Sequence, residues 1–204
     1  ISVGLQSNHL VVAALLLAAW CLITGGLHLD GLADSGDAWV GGYGDRQRTL
    51  DIMKDPTIGP MGTMLVVLIL LLKFAALVQL LSSSHSVAIF AAFMALITAR
   101  TAPLFIMQTT PYAREKGMAT GLAMPSEKLV WSIAVLSLVL VFIVGSFVAA
   151  VLFAIAIAAS CVWWRDVWQR KISGYTGDTL GALIEIIEVV VLVMLAICLV
   201  GTAA

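Results

Sequence analysis

Charge is what this chain has least of. Charged residues make up 11% of its 204 positions and sum to −1, where an ordinary soluble domain carries about 25%. No basic stripe is present to release counterions from a phosphate backbone, which excludes a nucleic-acid partner. Cysteine is scarce as well: Cys21, Cys161 and Cys198 are odd in number and sit inside apolar runs. That suits packed thiols and excludes a disulfide framework or a cysteine metal site. No Ser/His/Asp or Cys/His set is placed for acyl transfer, and no G-x-x-x-x-G-K-[ST] loop serves nucleotide hydrolysis. Fixed-period repeats, low-complexity tracts and linkers are also missing, so residues 1–204 read as a single membrane-embedded domain.

What remains is mostly hydrocarbon, 61% of the residues, with a mean hydropathy of +1.07. An all-α, polytopic integral membrane protein follows, with the lipid bilayer as its first partner. The first apolar run covers 10–27, the second 60–81 and the third 86–107. Residues 129–164 would be roughly 54 Å long as one helix, nearly twice the hydrocarbon thickness, so they divide into two spans at Gly145-Ser146. A polar loop occupies 108–128, another occupies 165–181, and a sixth span covers 182–200. Among the loops, only those after spans one, three and five carry Lys or Arg, which by the positive-inside rule places them in the cytoplasm. Three segments far apart in sequence therefore meet on one membrane face.

Half of the acid in the chain lies in one of those segments, residues 25–62: Asp30, Asp34, Asp37, Asp45, Asp51 and Asp55. Residues 30–39 are expected to be helical, either continuing the first span or starting anew beyond Gly25-Gly26, and Gly41, Gly42 and Gly44 end them. On a helix, Asp34 and Asp37 stand about 40° and −20° from Asp30, so three carboxylates share one face. Their mutual repulsion is relieved by a divalent cation, and hard oxygen ligands suit Mg²⁺, which completes its shell with water and substrate phosphate. The alternative is a solvated acidic face just outside the membrane. A short amphipathic helix bearing Leu50, Ile52 and Met53 follows, and Asp55-Pro56 breaks it.

Charges inside the spans are functional candidates because burying them is costly. Arg100, about two turns from a span end, is expected to reach the acidic face or a substrate phosphate, or to snorkel. Lys73 lies deeper, and the choice there is between an ion pair with Glu185 or Glu188 and a phosphate counter-charge. Gly174 to Gly181, reading GYTGDTLG, offers glycines that let an anion approach backbone N–H groups before a helix, with Gly174, Gly177 and Thr179 as its binding candidates. Asp178 is a further metal ligand, a general base or a helix cap, and Thr179 is the other candidate cap. His28 lies about 160° from Asp30 and is read as a supporting or structural group, with proton transfer as the alternative. His9 and His85 belong to the opposite membrane side. Trp163, Trp164 and Trp168 suit an interfacial aromatic belt.

HLDGLADSGD (28–37), LDIMKDPTIGPMG (50–62), YAREKG (112–117) and GYTGDTLGA (174–182) agree in order and spacing with the cobalamin synthase family, the adenosylcobinamide-GDP ribazoletransferases. The sequence resembles that family over almost its whole length. The resemblance implies a multi-pass enzyme of the cell inner membrane, requiring Mg²⁺, whose partners are adenosylcobinamide-GDP and α-ribazole or its 5′-phosphate. It joins the two and releases GMP, giving the coenzyme form of cobalamin or its phosphate. Members begin with a further apolar segment and an Arg-Leu-Pro-type stretch, so the sequence is expected to start inside the protein. On this reading Asp30, Asp34 and Asp37 hold Mg²⁺ on the phosphates of the GDP arm. Asp37 or Asp178 accepts the proton of the attacking hydroxyl, and Arg100, Lys54 and Arg114 counter phosphate charge. Copies of the chain are a further candidate partner, as a homo-oligomer.

Two rival readings remain. A lipid-type CDP-alcohol phosphotransferase also places spaced aspartates on membrane helices, but its motif carries Ala-Arg where this chain has Ala33-Asp34. An ion-coupled secondary transporter would place its carboxylates near the midplane between inverted repeats, whereas here the acids cluster at one end.

Overall fold

The computed structural model describes residues 2–114 and 125–200, with side chains from 8 to 114 and 125 to 199. Residues 115–124, the centre of the expected polar loop with Glu115 and Lys116, lie outside the described residues. Eight helices run in order: α1 (Ser2–Ile23), α2 (Leu27–Gly41), α3 (Arg46–Ile52), α4 (Pro60–Ser83), α5 (His85–Thr109), α6 (Glu127–Val144), α7 (Phe147–Ile172) and α8 (Gly177–Val200). Five of them, α4 to α8, are long and apolar enough to cross a membrane, and α1 with α2, bent by 84° at the break between them, makes a sixth if the pair is counted as one broken span. The chain is an all-α, multi-pass membrane protein.

The break in the first span is chemically specified. Gly25 and Gly26 adopt φ of 62° and 70°, values that L side chains disfavour. Thr24 turns its hydroxyl back onto the carbonyls of Trp20 and Cys21 at 3.1 Å, capping the end of α1. The acidic helix therefore starts anew rather than continuing the first span. Gly145-Ser146 divides the long apolar run as expected, with the Ser146 hydroxyl accepting from the Ala149 N–H at 3.1 Å to start α7.

The expected loop over 165–181 is corrected to a much shorter one, 173–176. Residues 165–172 look polar in composition yet continue α7, because Trp164, Trp168 and Ile172, four residues apart, form a buried stripe. On the outer face Arg170 pairs with Asp166 at 2.7 Å, and Arg170 and Lys171 complement the helix C-terminus. Ser173, at φ 58°, ends it. The aromatic-belt expectation is corrected with it. Only Trp163 is exposed, while Trp164 and Trp168 are core residues, and the Trp164 indole donates to the Thr179 carbonyl at 2.7 Å.

Helix α8 is the hub, packed by α2, α4, α5 and α7. Its centre carries charge. Lys73 of α4 bonds Glu185 at 2.7 Å and also Glu188, and Arg100 of α5 bonds Glu188. Two cations and two anions, three of the four fully buried, tie three spans together, while the Trp20 ring of α1 lies 5.6 Å from the Lys73 ammonium. The open choice at Lys73 resolves to the ion pair. Arg100 also meets its charge here rather than at the acidic face.

Candidate active site

Helix α2 lies against the first turns of α4 and α8, and its glycines set the distance. A Cβ on Gly31 would stand 2.7 Å from the Asp178 carbonyl oxygen, so only glycine lets α8 approach this closely. The consequence is that the carboxylate face of α2 gains Asp178, a residue far along the chain, as a neighbour of Asp34. Asp34 is half-buried and so partly stripped of water. It faces the charges of Asp30, Asp178 and Asp37, in that order of strength, with Arg114 opposing them.

Asp37 has a role that spacing alone did not suggest. Its Oδ2 accepts from the Gly59 N–H at 2.6 Å and its Oδ1 from the Gly62 N–H at 2.9 Å. Gly59 precedes Pro60 at the start of α4, so one carboxylate satisfies two of the donors that open this helix. A Cβ at Gly59 or Gly62 would fall 2.5 Å from an Asp37 oxygen, which accounts for both glycines of the 58–62 block. The face thus divides into Asp30 and Asp34, whose oxygens carry no internal hydrogen bond among the described residues, and Asp37, anchored to α4.

The second wall is built by the loops. Ala113 N–H donates to the Tyr175 carbonyl at 2.9 Å and Tyr175 N–H to the Pro111 carbonyl at 3.1 Å, joining the 111–114 and 173–176 segments. Tyr112 and Tyr175 pack edge to face, 5.4 Å between centroids. Burial, and then the neighbouring Tyr112, raises the Tyr175 phenol above its ordinary value, so it is neutral at physiological pH. Arg46 of α3 was the residue that sequence reasoning left without a role. Its guanidinium donates to the Ile172 carbonyl at 3.0 Å and the Ala113 carbonyl at 2.8 Å, clamping both loops to the acidic stretch. Lys171 adds a bond to the Trp39 carbonyl at 2.9 Å. Nothing in the spacing of Arg46 marked it, because its partners are carbonyls of distant segments.

Arg114 and Asp178, expected separately as phosphate counter-charge and as ligand or base, form an ion pair at 2.7 Å. Arg114 keeps its Nε without a partner among the described residues, and Asp178 keeps its Oδ1. The expected caps of α8 are corrected. Thr176, not Asp178 or Thr179, is the cap: its hydroxyl accepts from the Thr179 N–H at 3.2 Å, and the Thr179 hydroxyl accepts in return from the Thr176 N–H at 2.9 Å. This reciprocal arrangement has the logic of a capping box and leaves Asp178 pointing to the site. Gly174 packs against Pro111 and Ala113, whereas Gly177 has open space where a side chain would be. Lys54 is exposed and stands 3.9 Å from Asp51. His28 is half-buried with Nδ1 unpartnered, on the side of Arg100 and Glu188 rather than of the carboxylates.

Among the described residues, no three His, Cys, Asp or Glu side chains form a complete metal site by themselves. The donor chemistry still fits Mg²⁺. This ion takes one or two carboxylates and completes its shell from water and substrate phosphate, and the crowded Asp30–Asp34 edge supplies hard oxygens that no donor among the described residues occupies.

Three of the four sequence blocks therefore meet in full at one end of the bundle, and the described part of the fourth, Tyr112 to Arg114, meets them there. A family model described as Cobalamin-5-phosphate synthase matches residues 1–196. The adenosylcobinamide-GDP ribazoletransferase of Pseudomonas fluorescens (strain Pf0-1) is 45% identical over 200 residues, covering 97% of this chain and 80% of that protein. Proteins of the same name from Pseudomonas savastanoi pv. phaseolicola and Pseudomonas putida (strain GB-1) are each 45% identical, over 191 and 187 residues, covering 91% of this chain and 75% and 74% of theirs. No solved structure matches. The chain belongs to the cobalamin-5-phosphate synthase family.

Proposed function

We propose that this chain is the catalytic body of an adenosylcobinamide-GDP ribazoletransferase, joining that nucleotide to α-ribazole or its 5′-phosphate with release of GMP. The observation that carries the reading is the assembly of the carboxylate edge. Asp30, Asp34, Asp37, Asp178 and Arg114, drawn from three distant segments, converge at one end of the bundle. Phosphate displacement asks for charge neutralisation and a proton acceptor, and these residues are the two kinds of group it needs.

In the reaction, a hydroxyl oxygen of ribazole bonds to the phosphorus nearest cobinamide and the bond from that phosphorus to the GMP oxygen breaks. Asp30 and Asp34 would hold Mg²⁺, with Asp37 at their flank. An ion held there would supply charge neutralisation at the phosphate oxygens. Arg114 donates to the same phosphates through its guanidinium, and the N–H groups around Gly177 add to it. Asp178 Oδ1 takes the hydroxyl proton. It is better placed than Asp37, both of whose oxygens are held by amides of α4. Arg100 has no part in this scheme because Glu188 meets its charge, and Lys54 counters phosphate from the exposed loop. The site faces the cytoplasm across the inner membrane, in keeping with the distribution of Lys and Arg.

The test is GMP release by the full-length protein in liposomes given adenosylcobinamide-GDP and α-ribazole 5′-phosphate. Release should need both substrates, cease on chelation of Mg²⁺ and fall by at least about a hundredfold in Asp34→Ala, the scale of losing one strong electrostatic contact to a transition state. Turnover by Asp34→Ala within a few-fold of wild type would remove the metal assignment. Release of CMP from a CDP-alcohol instead would favour the lipid-type reading.

A further inference from the structure

We propose that the groove between α5, α6 and α7 binds one acyl chain of an anionic phospholipid, with Arg165 on its headgroup. The groove encloses about 660 Å³, within the range of small-molecule sites, and lies outside the carboxylate edge. It runs along α5 from Thr98 to Thr109 and along α7 from Phe153 to Arg165. At 1.5 Å per residue these stretches are about 16 and 18 Å long, close to one leaflet of a hydrocarbon core about 30 Å thick. A compact bicyclic base needs no such length, whereas an acyl chain does. Trp131 and Val162 line the groove and are exposed on the flank of the bundle, so it opens sideways toward hydrocarbon.

Charge decides the lipid class. The wall is mostly apolar, with the hydroxyls of Thr98, Thr101 and Ser137 as its polar groups before the end where Arg165 stands exposed. Its Nε donates to the Thr110 hydroxyl at 3.1 Å and one terminal nitrogen to the Thr109 carbonyl at 3.2 Å. Both acceptors are neutral, and no carboxylate among the described residues lies within ion-pair distance of it. The remaining guanidinium donors face the level of the headgroups, where a phosphate of net negative charge is the complementary partner. Arg170, one and a half turns further along α7, contrasts with it, since Asp166 already meets its charge.

The experiment uses the full-length protein in vesicles of equal phosphatidylglycerol and phosphatidylcholine, from which native mass spectrometry counts the lipid retained. Wild type should retain phosphatidylglycerol in preference, at about one molecule per chain. Arg165→Gln should lower that preference about fivefold, the scale of one cation near an anionic surface, and Arg170→Gln should leave it unchanged. Ala158→Phe, which fills the groove at mid-length, should abolish retention of both lipids, and Val135→Trp at the rim should do the same if Ala158→Phe fails to fold. Equal retention of the two lipids by wild type, or a preference that survives Arg165→Gln, overturns the proposal. So does displacement of phosphatidylglycerol by α-ribazole, which would assign the groove to the nucleoside.

Discussion

Asp34 and Asp37, three residues apart on one face, do opposite things for the folded protein. Asp37 satisfies two amides at the start of α4, so Asp37→Ala should destabilise the protein by about 1–2 kcal/mol, as loss of a helix cap does. Asp34 faces three like charges, so Asp34→Asn should leave the unfolding midpoint unchanged or raise it while turnover falls. Thermal unfolding in detergent, read beside GMP release, separates the two, and a lowered midpoint in Asp34→Asn would contradict the assignment. Gly31 is a third residue of this kind. Gly31→Ala would push a methyl onto the Asp178 carbonyl and should cost about 1–3 kcal/mol from overpacking, with a larger proportional loss of turnover because Asp178 moves away from Asp34. The three-aspartate face was legible from spacing. Asp37's amide partners were not, since they lie 22 and 25 residues further on and depend on how α2 and α4 cross.

Spans α4, α5 and α8 are joined by Lys73, Arg100, Glu185 and Glu188, and the balance of that set matters more than any one bond. Lys73→Met would leave two buried carboxylates facing one arginine and should destabilise by about 3–5 kcal/mol. Converting Lys73, Glu185 and Glu188 together to Met, Gln and Gln should recover part of that loss, and recovery measured by thermal unfolding is the check. Hydropathy located these spans to within a few residues because each is a long apolar run. It misjudged the end of α7 and the start of α8, where composition turns polar before the helix stops. There the deciding signal is the four-residue repeat of Trp164, Trp168 and Ile172, which outweighs the polar residues between them.

At the scale of the whole molecule, the carboxylate edge, the Tyr112 turn and the Ser173 turn share one end, and His9 meets His85 edge to face, 6.1 Å between ring centroids, at the other. With Cys21, Cys161 and Cys198 replaced, single cysteines at Tyr43 and Ser173 should both be labelled by an impermeant thiol reagent from the same side of sealed vesicles, and one at Ser83 from the other. Labelling of the Tyr43 and Ser173 positions from opposite sides would break the alternation of spans on which the site depends.

The sequence by itself determined the class of this protein, the approximate extent of its spans, the glycine pair at which the first of them could break and the crowding of aspartates on one helical face. All of these are local properties, carried by hydropathy, by glycine's freedom at positive φ and by the helical period. Tertiary structure alone decided that Asp178 joins that face, that Arg46 clamps two loops, that Lys73 and Arg100 serve glutamates of α8 rather than phosphate, and that Thr176 opens α8. Each of those rests on a partner in another segment, and which side chain meets which depends on how closely the helices cross, a distance set at Gly31, Gly59 and Gly62 by the absence of a single carbon atom.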